Sequence, residues 1–209
     1  MPRAVRTYKQ SGLRAKRIPS FQKGGTVASV GTSYEDMMNY VIQKKGGTAQ
    51  QYNELMDMIS YHETGPQQRM NPNAVQLVMK DGRLQPIGVG RGRFMFEVGN
   101  ERGGVIAVNR TVKELKDNGM AVPPWLDKLY KQSSVDFSNL PAEQQNFLFL
   151  GNYLQHPQAN FSDFIKGKQT AEDFWFNYHQ AGGSAVEQER RMSWQESMAD
   201  RKKRQQKKP

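Results

Sequence analysis

The chemistry this sequence can offer begins with one carboxylate. After Thr48, the residues Tyr52, Leu55, Met56, Ile59 and Glu63 fall at i, i+3, i+4, i+7 and i+11, the spacing of a single helical face. Glu63 closes that apolar stripe just before Gly65-Pro66, a pair that should stop the helix. A carboxyl so placed loses the hydration of its anion, and the partial negative charge of a helix C-terminus also opposes ionisation, so both effects raise its pKa. An acid still protonated near neutrality is what is needed to hand a proton to a glycosidic oxygen. The same spacing also allows Glu63 to turn to the solvated edge of the stripe.

Other groups offer less. A two-acid glycosidase needs a second carboxyl about 5–9.5 Å away, and the candidates are Asp81, Glu97 and Glu101. Asp81, beside Gly82, is more economically a turn residue, and Glu97 suits a salt bridge as well as a substrate contact. His62, His156 and His179 lack metal-ligand spacing and read as surface or internally satisfied histidines. The absence of cysteine excludes disulfides, cysteine-ligated zinc and thiol nucleophiles. Gly88, Gly90 and Gly92 do not make a nucleotide loop, because no Lys-Ser/Thr pair follows; they let backbone approach a ligand closely.

The elements that must position these groups are mostly helices. Ser33 with Asp36, Thr48 with Gln51, and Thr170 with Asp173 are capping-box patterns, the first opening a helix that Gly46-Gly47 ends. A strand over 74–79, a turn at Asp81-Gly82 and a return over 84–89 predict one hairpin, with Pro86 marking an edge. Further helices are expected over 105–118, 124–131 and 142–154, and from Thr170 to Gly182-Gly183. Trp125, Phe147, Phe149, Phe174 and Trp175 read as core. The expected fold is mainly α (α+β) with one small hairpin over 33–184, preceded by a basic flexible arm (1–32) and followed by a charged, marginal helix and basic tail (185–209).

The order of these motifs resembles the lysozyme-like superfamily, specifically lytic transglycosylases and phage virion-associated peptidoglycan-degrading proteins. Glu63 stands where the family's catalytic Glu closes a helix, Asn71-Pro72-Asn73-Ala74 matches an Asn-Pro-x-Ala element, and Gly92 to Met95 aligns with a Gly-Leu-Met-Gln-like element. Asn177-Tyr178-His179-Gln180-Ala181-Gly182 echoes the family's Ala-Tyr-Asn-x-Gly-like element. The resemblance implies a lysozyme-like helical domain that cleaves the MurNAc-GlcNAc β-1,4 bond with Glu63 as general acid and base, without cofactor or metal. It implies substrate contacts at Gly92, Phe94, Met95, Glu97 and Tyr178, with Tyr178 near the acid. The family's glutamine is Met95 here, and a thioether cannot replace an amide's hydrogen bonds.

Composition sets the remaining expectations. In 209 residues, 36% are hydrophobic and mean hydropathy is −0.81. Of 30 Lys and Arg, seven lie in residues 1–24 and six in 201–209, where no acid occurs, so the formal charge of +10 belongs to the ends. Residues 25–200 carry 17 bases and 20 acids. The pI of 9.8 therefore does not mark the folded part as a nucleic-acid binder. Weak nonspecific DNA contact through the ends, attraction to an anionic envelope and docking to other virion proteins are all open to them. No apolar run approaches the length of a membrane span, and no apolar segment follows the basic N-terminus as in a signal peptide. The expected location is a phage virion, or the host envelope or periplasm after delivery, with peptidoglycan strands as partner. A noncatalytic virion or scaffold component, holding DNA or neighbouring subunits through its basic ends, is the alternative that Met95 favours.

Overall fold

The computed structural model describes residues 31–179 and 187–207. The basic arm up to residue 30, Gln180–Gly182 of the last motif and the glycine pair expected to end its helix lie outside them.

The capping boxes form as their sequences dictate. Ser33 and Asp36 cap α1 (Tyr34–Lys45), and Thr48 and Gln51 cap α2 (Ala49–Gln68). Just ahead of the first cap, the Thr32 amide and hydroxyl both donate to the Ala121 carbonyl, at 3.0 and 2.7 Å. Gly65-Pro66 interrupts the regular helix as its sequence predicts: Gly65 takes φ 63° and ψ 179°, outside the helical region, and a separate short turn carries the element on to Gln68. Residues 69–77 follow without regular structure beyond the single bridge Val75 to Arg91.

The predicted hairpin is present but shorter than expected. Strands β1 (Val78–Lys80) and β2 (Arg83–Gln85) pair antiparallel, Met79 opposite Leu84, around Asp81 and Gly82 at φ 51° and 73°. The glycine-rich segment folds into a second antiparallel pair, β3 (Gly90–Arg91) and β4 (Phe96–Glu97). Four residues close that pair, and Gly92 (φ 73°) and Met95 (φ 48°) supply its left-handed corners.

Helices α3 (Gly103–Asp117), α4 (Pro124–Tyr130), α5 (Ala142–Leu154), α6 (Phe161–Ile165) and α7 (Ala171–Phe174) follow, and a π-helical turn (Trp175–His179) extends α7. The described residues are mainly helical, with two small two-stranded sheets. Helix α5 is central: Phe147, Leu148, Phe149, Leu150 and Tyr153 are all buried, so its C-terminal half is covered on every side. Gly151 lets α3 approach, since a Cβ there would lie 2.4 Å from Thr111 Cγ2.

The C-terminal segment is a docked helix, not a fraying appendage. Helix α8 (Glu187–Gln206) lies against α2, with Trp194 only 4% exposed and stacked on Trp175 at 5.3 Å between centroids. Tyr61 donates to Asp200 at 2.6 Å, and Arg191 pairs with Glu172 and Asp173 of α7. Among the described residues no helix is long and apolar enough to cross a membrane.

Candidate active site

Glu63 projects from the last regular turn of α2 into the wall of a cleft of about 470 Å3. Its side chain is 7% exposed, so the face spacing resolves in favour of burial rather than the solvated edge. Trp175 Nε1 donates to Glu63 Oε1 at 2.5 Å. His179 Nε2 lies 3.6 Å from the same oxygen. Burial pushes the Glu63 pKa up to about 7, against the opposing effects of the Trp175 hydrogen bond and the Arg190 charge. Near neutral pH a large fraction of the group is therefore a carboxylic acid.

The histidine beside it is held neutral by burial, and its contacts fix the tautomer. His179 Nε2 lies 2.6 Å from the Phe94 carbonyl, which can only accept, so Nε2 carries the proton. Nδ1 is then the acceptor of the Tyr153 hydroxyl at 2.5 Å. Burial lowers the His179 pKa to about 4, only partly offset by the Phe94 contact. His179 is thus satisfied, as expected of a structural histidine, yet its satisfied ring forms part of the acid's surroundings.

The segment supplying the Phe94 carbonyl is anchored from both sides. Arg93 is 7% exposed and donates to Ser60 Oγ, Asp57 Oδ1 and Asn146 Oδ1 at 2.9–3.1 Å, tying the β3–β4 turn to α2 and α5. Buried Gln145 accepts from the Arg93 amide and donates to the carbonyls of Pro72 and Leu140, each at 2.8 Å. The Asn-Pro-x-Ala segment is thereby fixed against the glycine-rich one. Within it, Asn71 Oδ1 accepts from the Asn73 amide, and Asn73 Nδ2 donates to Ser138.

Of the expected substrate contacts, Met95, Glu97 and Tyr178 line the same cleft as Glu63. Phe94 and Gly92 do not. The Phe94 ring is fully buried against Phe149 and Phe96, so its contribution is its carbonyl and not a sugar contact. Gly92 faces the core, where a Cβ would lie 2.4 Å from Gln145 Oε1; it serves the left-handed corner. Glu97 is half-exposed and pairs with Arg102 at 3.1 Å. Tyr178 makes no hydrogen bond to Glu63; its ring meets Phe174 edge-on at 5.2 Å and lies 5.8 Å from His156. Asp81 and Glu101 do not line the cleft.

Trp175 reads as core from the sequence, and the structure also makes it the group that orients Glu63. Its ring is 2% exposed, as a core residue's would be, while its single donor meets the carboxylate. The π-helical turn brings Trp175 and His179, four residues apart, onto the same carboxyl oxygen, and such turns recur at functional sites. Among the described residues no group of three or more His, Asp or Glu is arranged to hold a metal ion. The chain matches no protein-family model, and no curated protein or solved structure is similar enough to count as a match.

Proposed function

We propose that the protein is a peptidoglycan-cleaving lytic transglycosylase of phage type, built on a lysozyme-like domain, with Glu63 as its acid and base. The observation that carries this reading is a single nearly buried carboxyl in a cleft wall, half-protonated at about pH 7 and fixed by Trp175. Glu63 in its acid form protonates the oxygen between N-acetylmuramic acid and N-acetylglucosamine. As the carboxylate it then takes the proton of the muramic C6 hydroxyl, whose oxygen attacks C1 and closes a 1,6-anhydro ring. One group performs both transfers, so no water and no second acid enter the reaction.

Purified protein incubated with peptidoglycan should release anhydromuropeptides, detected by mass spectrometry, and Glu63→Gln should lose at least about 100-fold of that rate. Reducing ends without the anhydro ring would instead assign hydrolysis, with Glu97 as the second acid lining the cleft. Absence of cleavage by the wild type sinks both. The noncatalytic virion or scaffold reading is favoured by Met95, a thioether lining the cleft where the resembled family has an amide. Its signature is a salt-sensitive complex with DNA or a virion protein that is lost on removing residues 1–24 and 201–209.

A further inference from the structure

Arg110 reaches the cleft from α3, half-buried, and its Nη1 donates to Asn152 Oδ1 of α5 at 3.1 Å. Asn152 is itself 4% exposed, so the guanidinium is held from inside the protein. A guanidinium has five donors, and this one meets no carboxylate among the described residues. Arg91, Arg93, Arg102, Arg191, Arg201 and Arg204 each pair with one. Neither carboxyl of the cleft serves Arg110, for Glu63 accepts from Trp175 and Glu97 pairs with Arg102. Burial pushes the Arg110 pKa down, the mark of a cation short of counter-charge. Its field also adds to the burial that lowers His156 beside it. A half-dry cation with donors to spare binds an anion more strongly than a solvated one.

We infer that Arg110, steadied by Asn152, is an anion subsite of the cleft that receives a carboxylate carried by the glycan ligand. On peptidoglycan that carboxylate has two sources, the lactyl group of muramic acid in a peptide-free strand and the acidic residues of a stem peptide. The choice of ligand rests on the transglycosylase reading.

The test is arginine 15N NMR of full-length Glu63→Gln protein, titrated with a neutral N-acetylglucosamine tetramer, a peptide-free GlcNAc-MurNAc tetramer and the same tetramer bearing stem peptides. The Arg110 Nε–H signal should move with an anionic tetramer and not with the neutral one. The anionic tetramer should bind about tenfold more tightly, an advantage that shrinks with added salt. Which anionic probe shows the advantage identifies the source. Adding Arg110→Gln should erase the advantage, and Arg110→Lys should keep part of it. Equal affinity for all probes, an advantage that survives Arg110→Gln, or binding of none overturns the subsite. The Arg110 signal in the intact-arginine protein decides the matter even if Arg110→Gln folds poorly. Anion binding at Arg110 without cleavage by the wild type would leave the subsite standing and remove the transglycosylase reading; cleavage with no dependence on Arg110 would do the reverse.

Discussion

Glu63 and Glu114 both hide their side chains, and the donors around each decide its charge. Glu114, fully buried, accepts from Tyr40, Lys44 and Gln155 at 2.5–2.6 Å. Burial raises its pKa, but those donors outweigh it and leave the net value below the ordinary one. Glu63 has the Trp175 donor and a neutral imidazole nearby, and burial wins. Its raised pKa means that the folded protein holds this proton more tightly than the unfolded chain does. The stability conferred by burying the neutral acid is present below about pH 4.5 and is lost as pH rises through about 7. The loss is on the order of 3 kcal/mol. Glu63→Gln should therefore melt higher than wild type at pH 8, with the gap closing toward pH 4. A gap independent of pH would show that Glu63 is not buried as an acid.

At the scale of elements, the C-terminal helix reaches the acid through aromatic packing. Trp194 of α8 stacks on Trp175 and lies 5.1 Å from the His62 ring, while Ser197 bonds His62 Nδ1 at 3.0 Å. Trp194→Ala removes a ring that is 4% exposed and should cost about 3–5 kcal/mol. By letting water reach Trp175 it should also lower the Glu63 pKa, read by carboxyl 13C NMR, whereas Trp194→Phe should preserve most of both. An unchanged Glu63 titration in Trp194→Ala would separate α8 from the site. The composition of α8, charged along most of its length, gave no sign of this docking, because the apolar contact is carried by buried Trp194 with partly buried Met198 beside it. The capping boxes of α1 and α2, by contrast, were legible because each bond closes within three residues.

For the whole molecule, stability is bounded on both sides by buried titratable groups around one site. Burial lowers His62 and His179 to about 4, so each contributes stability that is complete above about pH 6.5 and lost as pH falls through about 4. Glu63 acts in the opposite sense at higher pH. Chemical unfolding should show maximum stability near pH 6.5, with a steep acid limb that His62→Gln makes shallower. A flat profile from pH 4 to 8 would contradict this arrangement. The cleft itself gathers residues from distant parts of the chain, among them Glu63, Arg110 and His179. No local pattern in the sequence sets those three together.

What the sequence determined alone was everything settled over a few residues: the caps of α1, α2 and α7, the left-handed Asp81-Gly82 turn, and the helical face that ends at Glu63. Tertiary structure decided the rest. It gave Glu63 its orienting partner in Trp175, turned Phe94 and Gly92 to the core, and left Arg110 without a carboxylate in the cleft. Hydrogen bonds between near neighbours are encoded by spacing, whereas desolvation and long-range pairing depend on which surfaces packing brings together.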